Sequence, residues 1–279
     1  MKIRHRIAYN KDLVSKKFIE FLKEKNAKFE KTNSYIGVAY LCEEDEWKDD
    51  LYRVLQKEKV TSLIDIIYTK EEFEKAQWYS MRSKFRFEYP QPEDAFDYRN
   101  QTYDNSRYCS SCGCGLRQVE GFRINKAPKW GKRHFLMLNW IEDELFIDTI
   151  AQEYIISEKI TGLEILDVIN NKKNTTFEDI HQIYIENVLD PSLVNMELSV
   201  KEVLNCRSCG KVKYIYSGRG LSFKKDTFQG LDHDIVKSFE TFGSGHMCAR
   251  IIIVSKKFYQ VLKKNKLDKD LEFEPITLI

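Results

Sequence analysis

The chain is short of the residues that break structure and of the motifs that announce common chemistries. Only 12 glycines and 5 prolines occur in 279 residues, so few stretches read as flexible linker. No apolar run approaches the ~20 residues that a membrane-crossing helix needs. The basic start Met1-Lys2-Ile3-Arg4-His5-Arg6 is not followed by the apolar core of an export signal, which places the protein in the cytoplasm with no membrane partner. No phosphate-cradling glycine loop, dinucleotide fingerprint or zinc-protease helix motif appears, and no small-molecule substrate suggests itself. Formal net charge is only +2, so bulk charge selects no partner.

What is present is a globular composition, 42% hydrophobic and 32% charged, enough for one large or two modest domains. Residues 1–105 read as an α/β region. Lys2 to Tyr9, Tyr35 to Cys42 and Ser62 to Tyr68 are strand-like, and Ser15 is placed to cap a helix carrying Phe18, Ile19, Phe21 and Leu22. A second helix contains Leu51, Val54 and Leu55, and the capping box Thr69/Glu72 predicts a third from Lys70 to about Met81. Pro90, Pro92 and the polar run Asp97 to Arg107 mark a boundary. Beyond it, strands are expected at Arg133 to Trp140, Glu144 to Asp148, Leu163 to Ile169, Val212 to Tyr216 and Leu221 to Phe223. Ile180 to Val188 fits either strand or helix. The C-terminal part, 231–279, reads as helix (Asp232 to Phe242), strand (Ile251 to Val254), helix capped by Ser255, and strand (Leu271 to Leu278). An apolar–Ser–charged–Lys–apolar step recurs at residues 14–18, 156–160 and 254–258, each serine in position to cap a helix.

Chemistry concentrates in the cysteines. Six of the seven lie at or after residue 109, and four form the matched knuckles Cys109-Ser110-Ser111-Cys112-Gly113 and Cys206-Arg207-Ser208-Cys209-Gly210. Two residues between cysteines let a tight turn aim both sulfurs at one ion, and the trailing glycine can take the positive φ that folds the chain over it. Four thiolates suit one structural Zn²⁺ with no open coordination position. The expected architecture is therefore α+β: the N-terminal α/β region, then a zinc-ribbon region over 106–279 with knuckles at 109–113 and 206–210 and a subdomain inserted at about 116–204. Two unrelated cysteine pairs are the competing reading, Cys114 is a rival ligand, and Cys42 fits a core position.

The segments around the knuckles are basic. Residues 107–133 and 206–225 each sum to +6, leaving the remainder acidic. Arg117, Lys129, Lys132 and Lys213 are the candidate contacts if that face binds nucleic acid. The acidic run Glu43, Glu44, Asp45, Glu46, Asp49 and Asp50 is the candidate contact for a basic protein partner. A catalytic reading comes third. His246 and Cys248 could form a nucleophile pair after Gly243-Ser244-Gly245, but no orienting third residue or oxyanion site accompanies them.

The two widely separated CxxCG knuckles resemble those of the double-CXXCG motif family of bacterial proteins. Tyr68-Thr69-Lys70-Glu71-Glu72-Phe73-Glu74-Lys75-Ala76, Ile155-Ile156-Ser157-Glu158-Lys159, Ile252-Ile253-Val254-Ser255-Lys256-Lys257 and Leu271-Glu272-Phe273-Glu274-Pro275 extend the resemblance over roughly residues 65 to 279. It implies binding rather than catalysis, since some members look like immunity proteins that neutralise a cognate toxin. The leading expectation is thus a non-catalytic zinc protein that binds a toxin stoichiometrically, with a zinc-ribbon nucleic-acid binder as the alternative.

Overall fold

The computed structural model describes residues 1–32 and 34–279 and is an α+β protein whose chain divides into two compact units. No helix among the described residues is long and apolar enough to cross a membrane.

The first unit comprises Met1–Lys75 with Gly218–Gly220. Its elements are β1 (Lys2–Asn10), α1 (Lys16–Glu24), β2 (Lys28–Glu30), β3 (Ile36–Cys42), α2 (Lys48–Lys57), β4 (Ser62–Ile67) and α3 (Lys70–Lys75). The sheet order β2-β3-β1-β4, antiparallel throughout, is that of a β-α-β-β-α-β ferredoxin-like unit. Ile7, Tyr9, Ala39 and Leu41 alternate onto one sheet face and meet Phe18, Leu22, Leu51 and Leu55 from the two helices. Ser15 caps α1 as its sequence position suggests, accepting from the Phe18 N–H at 3.2 Å. Thr69 and Glu72 form the reciprocal capping box: Thr69 N donates to the Glu72 carboxylate at 2.7 Å and Glu72 N to Thr69 Oγ1 at 3.2 Å.

The third helix nevertheless stops at Lys75, six residues before the expected Met81. Trp78–Ser83 is a strand, β5, with Trp78, Tyr79, Met81 and Ser83 buried between two partner strands. Tertiary pairing of this aromatic segment overrides the helical start signal. The second unit accordingly begins at Ala76, and the expected boundary near residue 105 falls inside it.

That unit, Ala76–Ser217 with Leu221–Ile279, holds two six-stranded sheets. One runs in spatial order Val200–Asn205, Val212–Tyr216, Ile235–Phe242, Ala249–Ser255, β5 and Leu271–Pro275. The other runs Arg86–Phe87, Phe135–Leu138, Leu145–Ile147, Thr175–Tyr184, Glu164–Asn170 and Arg123–Ile124. This second sheet has its own core of Phe122, Ile124, Leu136, Leu138, Phe146, Val168 and Ile180. It corresponds to the expected insertion, but residues 86–87 and Tyr98 join it from before the first knuckle.

Asp232 to Phe242 is not helical. Ile235–Phe242 is a strand buried on both faces, and Lys237 and Glu240 imitate the polar face of a helix by their three-residue spacing. Of the three recurrent serines, Ser15 and Ser255 cap helices, whereas Ser157 closes the C-terminal end of helix Thr149–Ser157, which Asp148 caps.

A buried polar network stands inside the first unit. Glu43 accepts from His5 Nε2 at 2.8 Å and from both terminal nitrogens of Arg219 at 2.6 and 2.8 Å, while His5 Nδ1 meets Ser62 Oγ at 3.0 Å. Burial works to raise the Glu43 carboxyl, but the bonds from His5 and Arg219 outweigh it and hold the group at about 2. A carboxyl lowered by folding stabilises above its ordinary value near 4.5 and loses that contribution as pH falls through about 2. Acid unfolding followed by circular dichroism is therefore expected to weaken the protein across that window, and Glu43→Gln, already destabilised at neutral pH, to show a flatter profile there. The serines give a second test. Ser255→Ala is expected to cost about 1 kcal/mol through loss of the Phe258 cap, while Ser157→Ala stays within about 0.5 kcal/mol, as read by urea denaturation.

Candidate metal centre

Each knuckle is the turn of a two-stranded hairpin in the second unit. Tyr103–Asp104 pairs with Arg117–Gln118 around the first, and Val200–Asn205 with Val212–Tyr216 around the second. The local hydrogen bonds repeat: Gly113 N donates to Cys109 O and Gly210 N to Cys206 O, both at 2.8 Å. Cys109 N likewise reaches Cys114 O at 2.8 Å, as Cys206 N reaches Lys211 O at 2.9 Å. Gly113 (φ 81°) and Gly210 (φ 72°) adopt the left-handed backbone that their positions require.

The hairpin tips converge. Cys109 Sγ lies 3.8 Å from Cys206 Sγ and Cys112 Sγ lies 3.6 Å from Cys209 Sγ, with all four sulfurs within 4.8 Å of one another. A tetrahedral ion with ligand bonds of ~2.3 Å sets sulfurs about 3.8 Å apart, so the donor set fits a single ion. Ser111 and Ser208, at matching places in the two knuckles, share a hydrogen bond at 2.8 Å. Backbone N–H groups of the turns point at sulfur. Those of Cys209 and Ser208 hold the Cys206 thiol down at about 6, and that of Ser111 lowers Cys109. Burial instead pushes Cys112 up to about 12. Cys109 and Cys112 are buried, Cys206 is half-buried and Cys209 is exposed.

Cys114 does not compete for the ion, because its sulfur is bonded to Cys248. This disulfide also removes the thiol that a Cys248/His246 nucleophile pair would need. It instead fastens the loop around His246 onto the first knuckle, so closely that a Cβ at Gly113 would stand 1.9 Å from the His246 carbonyl oxygen. Nothing in the local spacing of residues 114 and 248 foretells the pairing; only the fold brings them together.

The charged candidates separate into different roles. Lys213 is 3% exposed and is no nucleic-acid contact. Its ammonium donates to the carbonyls of Cys112 (2.8 Å), Gly245 (2.6 Å) and Met247 (2.9 Å), using its three donors to bind the first knuckle to the disulfide loop. Arg117 is exposed but paired to Asp104 at 3.1 Å, whereas Lys129 and Lys132 are exposed. In the first unit, Glu43 is occupied by His5 and Arg219, so it drops out of the acidic run. Glu44, Asp45, Glu46, Asp49 and Asp50 are exposed, with Asp50 held by Arg53. Asp49 and Asp50 open α2, where negative charge complements the helix dipole.

No protein-family model matches the chain, and no curated protein matches it.

Lys213→Met would leave three carbonyls without their donor. It is expected to destabilise the metal-loaded protein by roughly 2 to 3 kcal/mol, while Lys129→Met and Lys132→Met stay near neutral in the same urea titration.

Proposed function

We propose that Cys109, Cys112, Cys206 and Cys209 hold one Zn²⁺ as a structural clasp of zinc-ribbon type, and that the protein acts by binding another protein rather than by catalysis. The observation that carries this reading is the sulfur geometry: four cysteine donors at single-ion spacing complete a tetrahedral shell without leaving a position for water or substrate. Zinc suits such an all-sulfur tetrahedral set, and when bound it supplies folding free energy. The bonding of Cys248 to Cys114 supports the non-catalytic part, since the one Cys–His pair in the sequence has no free thiol.

The sharper version is an immunity protein that occupies a cognate toxin one to one, and its support is the resemblance of the two CxxCG knuckles to the double-CXXCG family. The nucleic-acid alternative loses Lys213 to the interior and half of Arg117 to Asp104, so two lysines remain of its four candidate contacts. We place the protein in the cytoplasm, where reduced cysteines are kept for metal.

Native mass spectrometry is expected to find one zinc per chain. Chelation, or Cys109→Ser or Cys209→Ser, is expected to lower Tm, and unchanged melting without metal would refute the clasp. Denatured, chelated protein prepared without reductant is expected to titrate five thiols, those of Cys42, Cys109, Cys112, Cys206 and Cys209, where a fully reduced chain would give seven. The product of the neighbouring gene is expected to be toxic alone and harmless when co-expressed. If no adjacent product is toxic and no protein partner is recovered, the immunity reading is withdrawn.

A further inference from the structure

A cleft of about 1050 Å³ lies wholly within the second unit, beside the disulfide loop. Its floor is charged and enclosed. Glu144 and Lys237 form an ion pair at 2.5 Å with both side chains buried. Glu240, only 7% exposed, receives the N–H groups of Ser192 and Leu193 on Oε1, each at 2.9 Å. Its Oε2 is also buried, yet has no hydrogen-bond partner among the described residues. Asp143 accepts the backbone N–H of Arg250 at 3.1 Å. Lys237 answers Glu144, the Arg250 guanidinium donates to the carbonyls of Ser238 and Phe239, and one carboxylate oxygen, Glu240 Oε2, still lacks a donor among the described residues. Buried polar atoms are rarely left so, which points to a group with N–H donors that completes the site.

The rim is apolar. Trp140 (42% exposed), Val188 (43%), Phe239 (47%) and Met247 (45%) all border the same opening. Trp140 has φ 69°, a costly conformation for a bulky aromatic, and is held there by packing on Tyr89 and Phe96 at ring separations of 4.4 and 4.6 Å. Arg107 and Lys211 border the end of the cleft near the first knuckle, where the Arg107 backbone carbonyl and the Lys211 ammonium flank Gly115. A small cation would fill the floor and leave the apolar rim uncovered. The volume is at the upper limit of small-ligand pockets, ~300–1000 Å³. Exposed aromatics around buried charge are instead the composition of protein-binding hot spots.

We propose that this cleft is the docking site for an extended segment of a protein partner, which seats one arginine or lysine side chain against Glu240 and Asp143 while its apolar neighbours cover Trp140, Phe239 and Met247. The proposal rests on the binding-protein reading above and moves the contact surface away from the acidic run at residues 44–50. A seated cation gives Glu240 Oε2 its missing donor, and the aromatic rim adds cation–π attraction.

The test is display of random peptides against the zinc-loaded full chain. Enriched peptides are expected to share one Arg or Lys flanked by apolar residues. A synthetic consensus peptide is expected to change Trp fluorescence and to lose at least tenfold in affinity against Glu240→Gln and against Phe239→Ala. A triple neutralisation of Glu44, Asp45 and Glu46 is expected to leave that affinity unchanged. Replacing the peptide's arginine by citrulline interrogates the same contact without altering the protein, and is expected to cost a similar factor even if Glu240→Gln fails to fold. No enrichment, enrichment without a basic residue, or indifference to the citrulline exchange overturns the proposal. The two readings fail separately. A toxin that is neutralised but does not compete with the peptide removes the cleft, and a peptide-binding cleft with no neutralised partner removes the immunity role.

Discussion

Four sulfurs must meet at one point although the two knuckles that carry them are 97 residues apart. Everything between Cys112 and Cys206 has to leave the first hairpin and return to the second within the tolerance of a tetrahedral shell. Most of the intervening segment folds into a sheet with a core from Phe122 to Ile180, which residues 86–87 and Tyr98 complete from before the first knuckle. An ion held by these sulfurs would have a limited task, closing two hairpin tips whose turns and hydrogen bonds already match. Sequence alone made the long separation look like an obstacle to a compact site; a sheet that carries the chain out and back is its solution.

Much of this was legible where a local rule has a local cause. The caps at Ser15, Ser255 and Thr69 and the glycine after each knuckle follow from residues acting on their own neighbours, and the convergence of the four cysteines from the matching of the two knuckles. What escaped was set by distant partners. Nothing near Lys75 says that Trp78–Ser83 will be claimed by two strands from the C-terminal part of the chain. Strand Ile235–Phe242 is buried on both faces and so lacks an alternating pattern, and the partners of its two charged residues, Glu144 for Lys237 and the amides of Ser192 and Leu193 for one oxygen of Glu240, are invisible from the sequence.

Charge misled for a related reason. Counting residues treats every lysine and glutamate as a surface group, yet Lys213, Lys237, Glu43, Glu144 and Glu240 are internal fittings. Lys213 ties three carbonyls, and Glu43 binds His5 and Arg219. Removing them from the tally shrinks both the basic face and the acidic run, while a cleft whose residues are scattered over the second unit's sequence gathers the charges that remain interesting.

The placement of the disulfide has a topological consequence. Cys206 and Cys209 lie inside the span closed by Cys114 and Cys248. With that bond intact, the shortest covalent path from Cys112 to Cys209 runs through it and is about 41 residues (2 from Cys112 to Cys114, 39 from Cys248 back to Cys209) rather than 97, which lowers the entropic cost of bringing the knuckles together by about 0.8 kcal/mol. Metal capture and sulfur oxidation are therefore thermodynamically linked through the unfolded chain. Each favours the other by about fourfold, a factor that belongs to the order of the crosslinks along the backbone and to no contact in the folded protein.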